Sequence, residues 1–153
     1  MREWIPVPGT TKARLLDVAI AEFGARGFDA VGVTEVAAAA GVTVGSLYHH
    51  FGSKPALYAL VRTDVERRLL DRMEGAWAID ANLAATLGVG FDYLVRAGFA
   101  RLLAEPRDGD PVEGFLSTHS ARPVTGVLLA AAWRAALLHE DTEAARTALL
   151  ALA

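Results

Sequence analysis

Thr43, Ser46, Tyr48, His49 and Lys54 bring two aliphatic hydroxyls, a phenol, an imidazole and an ammonium into one short stretch. These groups can donate hydrogen bonds to phosphate oxygens and to base edges. Thr43 can cap a helix starting at Val44, placing its hydroxyl at an end that favours phosphate. Val44, Gly45 and Ser46 then form the first turn, the part of a recognition helix that reaches base edges. Gly45 is costly inside a helix, and close approach of a duplex would be a reason for it. Tyr48 and His49 follow on the exposed side. Lys54 opens the next helix, placed for a phosphate.

Two helices must hold those side chains. Residues 33–54, VTEVAAAAGVTVGSLYHHFGSK, read as a pair of short helices about a tight turn. Ala37 is small where the helices cross. Gly41 stands where the turn needs a positive φ, which glycine adopts cheaply. Leu47, six residues after Gly41, faces back into the core. This spacing is the minimum of a helix-turn-helix, and by itself it also fits an ordinary helical hairpin.

The rest of the chain supplies a helical scaffold. Thr10 or Thr11 caps a first helix carrying Leu16, Ala19, Ile20 and Phe23, with Gly24 and Gly27 marking its end. Before it, Met1–Gly9, with Pro6 and Pro8, reads as a loose arm. Ser53 caps a long helix whose apolar stripe runs Leu57, Leu60, Val61, Val65, Leu69 and Met73, with a stop near Gly75. Asp64, Glu66, Arg67, Arg68, Asp71 and Arg72 read as its solvated face. Further helices are expected over about 81–87, 91–103, 111–118, from a Ser120 cap to about His139, and from Asp141 or Thr142 onward. Glu105–Pro111 is a turn-rich loop. The expectation is an all-α fold of about nine helices with no strand.

Composition removes several function classes. There is no cysteine, so disulfides, thiol catalysis and Cys-ligated zinc are out, and a reducing compartment suits the chain. No signal peptide and no membrane span are read, which points to a cytoplasmic protein. Net charge is −3, with six Lys/Arg against five Asp/Glu over residues 1–62 and nine against thirteen over 63–153. That asymmetry has the sign expected of a DNA module on an acidic body, though it is small. The chain is not expected to be an enzyme. GVTVGS at 41–46 lacks the Gly-Lys-Ser/Thr ending of a phosphate loop, and Gly88–Gly90 follows no strand. Ser117, His119 and Ser120 are too local for a triad without a distant acid. His49 and His50 point to different helix faces without a further ligand, so no metal site is expected.

The helix from Pro123 is apolar nearly all round. Val127, Leu128 and Ala131 lie on one side; Leu129, Trp133, Ala136 and Leu137 on another. A helix without a wet face is buried on both. One side can face its own domain and the other a partner subunit. The centre of a monomeric bundle is the alternative.

GFDAVGVTEVAAAAGVTVGSLYHHFGSKPAL, residues 27–57, resembles the DNA-binding domain of the TetR family of transcriptional regulators. The elements that carry the likeness are Ala40-Gly41-Val42-Thr43, Gly45-Ser46-Leu47-Tyr48, His50-Phe51 and Ser53-Lys54. LLAAAWRAALLHEDTEAARTALLALA, residues 128–153, resembles more loosely the family's last two helices, which pack against a twin subunit. The resemblance implies a three-helix helix-turn-helix domain over 9–68 and a helical regulatory and dimerisation domain over 69–153. It implies a DNA face of Thr43, Val44, Gly45, Ser46, Tyr48 and His49, with Tyr48, His49 and Lys54 mainly on phosphates. His50 falls nearer the helix junction. Where relatives usually carry a threonine pair before the first motif helix, this chain has Val31 and Gly32. Thr34, one helical turn on, is the candidate replacement, and few phosphate contacts are expected.

The resemblance further implies a homodimer through the last two helices, a palindromic double-stranded operator, and a small-molecule pocket in the body. Candidate lining residues are Trp77, Phe91, Tyr93, Leu94, Phe99, Phe115 and His119, with Arg96 or Asp92 as polar anchors. The mix suits an apolar or aromatic effector. Gly88, Gly90 and Gly98 would loosen helices there, or else mark helix boundaries. No cofactor is implied. The reading is a sequence-specific DNA-binding regulator, a repressor released by its ligand. The alternative is a helical dimeric interaction module without ligand response.

Overall fold

The computed structural model describes residues 7–153; the expected N-terminal arm lies mostly outside them. Nine helices and no strand occur among the described residues: α1 Thr11–Arg26, α2 Val33–Ala39, α3 Val44–Phe51, α4 Lys54–Asp80, α5 Leu83–Ala97, α6 Ala100–Leu103, α7 Pro111–His119, α8 Pro123–Leu137 and α9 Thr142–Leu150. No helix among these residues is long and apolar enough to cross a membrane. The chain divides into two compact units, one ending at Thr63 and one spanning Asp64–Ala153. α4 begins in the first and ends in the second.

In the first unit, Leu15, Leu16, Ala19, Ile20 and Phe23 form the buried stripe of α1, and Val36 and Ala37 of α2, Leu47 and Phe51 of α3, and Leu57 and Val61 of α4 are buried with them. Thr10 accepts a hydrogen bond from the Ala13 N–H at 3.2 Å, and Gly27 closes α1 at a φ of 80°. Phe23, Phe28 and Tyr58 interlock beside this core, with Tyr58 edge-on to both phenylalanines at 5.1 and 5.0 Å. Ser53 caps α4 by accepting from the Ala56 N–H.

In the second unit, α7 and α8 make the closest approach. A Cβ on Gly126 of α8 would overlap the Ser117 backbone of α7. The N-terminus of α7 is pinned by Asp110. One carboxylate oxygen accepts from the Val112 and Glu113 N–H groups, and the other accepts from Arg134 of α8 at 2.7 Å. Arg134 and Asp110 are both buried. The side of α8 that packs inside the unit therefore carries one charge, and a buried charge needs such a partner.

Several boundaries differ from the sequence reading. α4 runs past Gly75 to Asp80, so that glycine stops nothing. Trp77, beyond it, packs on His119 at 4.6 Å. α4 instead ends through Ala81, which adopts a φ of 52°. Asn82, accepting from the Ala85 N–H at 2.8 Å, then caps α5. α5 continues unbroken through Gly88 and Gly90, and the expected break falls at Gly98, in the left-handed region. A Cβ at 90 would press on Leu69 and Met73 of α4, and one at 88 would meet Arg146 and Leu150 of α9. Gly90 is thus a close-packing point, which outweighs its cost in a helix of roughly 1 kcal/mol, whereas a Cβ at 88 would make ordinary contact. Ser120 does not cap α8: Arg122 holds that position without a side-chain bond. The polar face of α4 is not wholly solvated either. Glu66 is only 3% exposed and takes two bonds from Arg107, at 2.9 and 2.6 Å. That carboxylate holds the Arg107 guanidinium above its ordinary pKa.

Candidate nucleic-acid interface

The turn between α2 and α3 is built by backbone bonds that only a compact corner allows. Gly41 donates to the Ala38 carbonyl at 3.0 Å, and Val42 to that of Ala37 at 2.9 Å, with Gly41 at a φ of 68°. Ala37 is buried at the crossing. Thr43 follows in extended conformation and accepts from the Ser46 N–H at 3.1 Å, capping α3. The cap satisfies one of the free amides of the first turn; the others stay available to an external acceptor.

α3 is anchored from one side only. Leu47 and Phe51 are buried, Leu47 completely. Thr43, Gly45, Tyr48 and His49 are exposed, with Tyr48 at 44%, while Val44 and Ser46 are half-buried. Six of the eight residues expected to meet DNA are thus gathered on this helix and its cap. Gly45 has no internal reason to be glycine: a Cβ there would find only the Thr43 hydroxyl, at 3.8 Å. His50 is half-buried, its ring 5.4 Å from that of His49 and 6.2 Å from that of Phe51.

The remaining two lie on neighbouring elements. Lys54, half-buried in the first turn of α4, has its ammonium 4.2 Å over the Phe28 ring. That cation–π contact keeps the charge at the edge of the aromatic cluster, an arrangement the sequence did not disclose. Thr34 is exposed in the first turn of α2. Its surroundings differ from the expectation of a phosphate-binding corner. Glu35 accepts from the Gly32 N–H at 3.1 Å and pairs with Arg26 at 3.0 Å. The Gly32 amide first, and Arg26 second, hold the Glu35 carboxyl below its ordinary pKa. Hydrogen bonding to Glu35, then to Glu22, holds Arg26 above its own. An ionised carboxylate thus occupies the start of α2, beside the one candidate hydroxyl.

The residues expected to line an effector pocket separate into groups. Trp77, Phe115 and His119 cluster together, the His119 ring 4.6 Å from Trp77, edge-on, and 4.2 Å from Phe115, tilted. Phe91 and Leu94 are buried in the core. Tyr93 and Phe99 pair edge-on at 6.1 Å. Tyr93 lies, with Asp92 and Arg96, on an open groove of about 640 Å³ between α4 and α5 that also takes in Arg72, Val89 and Ala97. Asp92 is not a free anchor: Arg146 of α9 grips both its oxygens, at 2.7 and 3.0 Å. No cluster of three or more His, Asp or Glu that could hold a metal exists among the described residues.

Residues 15–61 match the sequence profile described as bacterial regulatory proteins, tetR family. The HTH-type transcriptional repressor KstR2 of Rhodococcus jostii is 39% identical over 66 residues, which are 43% of this chain and 30% of that protein. The HTH-type transcriptional regulatory protein RaaS of Mycobacterium tuberculosis is 48% identical over 48 residues, 31% of this chain and 22% of that protein. The aligned part thus spans less than a third of these curated relatives. Among solved structures, a TetR-like transcriptional regulator from Rhodococcus sp. RHA1 aligns at a TM-score of 0.72, covering 97% of this chain and 96% of that one at 18% identity. A TetR-family regulator from Pectobacterium atrosepticum gives 0.72 over 92% and 89%, at 20% identity. The likeness at that identity is one of fold.

Proposed function

We propose that the chain is a TetR-family repressor that binds a palindromic operator as a homodimer and leaves it when a small apolar or aromatic ligand binds; the match of residues 15–61 to that family's profile supports the family. The observation that carries the DNA reading is the one-sided anchoring of α3. Leu47 and Phe51 fix it from beneath, and Thr43, Val44, Gly45, Ser46, Tyr48 and His49 remain for base edges and phosphates. A glycine with open space over it, in the first turn of a capped helix, suits backbone passing close to a duplex. Lys54 adds a phosphate contact. Thr34 contributes little, because the Glu35 carboxylate stands beside it. The DNA-binding domain is taken as residues 9–68 and the regulatory domain as 69–153.

The homodimer reading rests on α8 and α9. Val124, Val127, Leu128 and Leu138 are exposed apolar residues along one stripe of α8, with Ala131 and Ala135 between them. Leu152 and the alanines of α9 border a further apolar hollow against α8. A charge-free exposed stripe of this length is what a two-fold partner covers. Two-fold pairing sets two copies of α3 about 34–36 Å apart, one turn of DNA. A ligand shifts operator affinity only as far as it binds the two arrangements differently.

The test is a gel-shift series on fragments from upstream of the gene, with salt varied. A shift with a palindromic fragment that is lost in Tyr48→Ala supports the reading. No shift with any such fragment leaves a helical dimer without DNA binding.

A further inference from the structure

We propose that the α4–α5 groove is an anion-selective effector site, taking a small molecule with a flat apolar body and a single negative charge. The inference rests on the ligand response proposed above and narrows it to one groove and one charge.

The groove's charges do not cancel. Arg72, Asp92 and Arg96 line it, but the Asp92 carboxylate is already bound at both oxygens by Arg146. Arg96 is exposed and makes no ion pair among the described residues. Among the described residues the Arg72 guanidinium has its own helix's Arg68 carbonyl, at 2.8 Å, and the Tyr93 ring face, at 3.9 Å. Neither is an anion. Two guanidiniums on adjacent helices therefore face one groove, with no ion pair to either among the described residues. An Arg pair is the donor set that grips carboxylate, sulfonate or phosphate with directed N–H bonds.

The walls supply the rest of the specificity. Val89, 41% exposed, and Ala97 give apolar surface. The Tyr93 ring is steadied edge-on by Phe99 and presents a π face. A volume of about 640 Å³ is in the range of small-molecule sites, roughly 300–1,000 Å³. A bound anion would compete with the Tyr93 ring for Arg72, which belongs to α4. Arg96 also borders a smaller hollow, of about 180 Å³, shared with Thr142, Glu143 and Arg146 of α9. The site would thus touch both the helix that leads to the reading head and the helix proposed to meet the second copy.

The experiment titrates the full-length protein with 8-anilinonaphthalene-1-sulfonate, an aromatic monoanion that brightens on binding, and with its uncharged analogue N-phenyl-1-naphthylamine. The sulfonate is expected to bind at one site per chain. Arg96→Gln and Arg72→Gln are each expected to weaken it about tenfold, the worth of a charged hydrogen bond, with Arg96→Lys restoring part of the loss. The uncharged dye should bind weakly and ignore these substitutions. Both arginines are exposed, so unchanged thermal melts will show that the fold survives. Equal sulfonate affinity in the Arg72→Gln/Arg96→Gln double variant would overturn the site. Tight binding of the uncharged dye, indifferent to the arginines, would overturn the charge rule and leave a ligand response standing. Arginine-dependent sulfonate binding with no effect on a DNA complex would uphold the site and end the ligand-release reading.

Discussion

α3 and α8 each leave one side uncovered in a single copy of the chain, and the two sides are chemically opposite. On α3 the open side carries hydroxyls, a phenol, an imidazole and a bare glycine, over an anchor of two buried residues. On α8 it carries Val124, Val127, Leu128 and Leu138, over a packed side that includes Trp133 and the Arg134–Asp110 pair. A polar, donor-rich face can stay hydrated until a charged partner replaces that water bond for bond. An apolar face gains only when something equally apolar covers it. The difference favours the partners proposed above: a polyanion for α3, a second copy of the chain for α8.

The contrast is broken most forcefully by two neighbouring residues on α3. Leu47→Ala is expected to cost about 2–5 kcal/mol of folding stability, as a completely buried leucine should. Tyr48→Ala should leave stability within about 0.5 kcal/mol and instead weaken DNA binding by about 1–3 kcal/mol. Chemical denaturation and DNA titration on the same two proteins check this. A Tyr48→Ala protein that binds as before would remove the named face.

On α8 the same pairing separates association from folding. Leu128→Asp, on the exposed stripe, should elute from gel filtration at the mass of one chain, with its melt lowered only by the association it has lost. Leu129→Ala, one residue on and buried, should lower the melt and leave the elution position of the surviving folded fraction unchanged. Wild-type protein eluting as a single chain would remove the dimer.

Lys54 sharpens the comparison at the edge of the reading head. Lys54→Ala should reduce the slope of log affinity against log salt by about 0.9, the signature of one lost phosphate. Phe28→Leu should produce a smaller loss, because the ammonium keeps its charge but loses the ring that holds it, a contact of roughly 0.5–1 kcal/mol. An unchanged slope in Lys54→Ala would place that ammonium off the DNA.

The smallest effect belongs to Glu35. Its folded pKa lies below its unfolded value, so its contribution to stability is present above about pH 4.3 and is lost as pH falls through the folded value. The stability difference between the parent and Glu35→Gln, read by urea unfolding, should therefore shrink in acid. A difference that stayed constant across that range would mean the Gly32 and Arg26 contacts do not hold in solution.

What the sequence disclosed follows from how local each signal is. Thr10, Gly41, Thr43, Ser53 and Asp141 act within a few residues of themselves, so caps and turn were legible. Gly88 and Gly90 carry the same local signal and mislead, because both face packed neighbours from other helices; Gly75 misleads too, although nothing lies within reach of a Cβ there. Glu66 looked solvated because its partner, Arg107, lies 41 residues away. Asp92 looked like a free anchor because Arg146 lies 54 residues away. Aromatic spacing gave a list of candidates but could not show that Trp77, Phe115 and His119 cluster in one place and Tyr93 lies in another.

Gly126 will leave its mark on descendants of this gene. Any side chain there strikes the main chain of α7, so drift at that codon is purged by misfolding long before regulation is tested. The two following codons, for Val127 and Leu128, feel no such filter from their own molecule. In the proposed homodimer a change at either would be judged by a sister copy bearing the same change, so lineages could alter both together and stop mixing with their parental form.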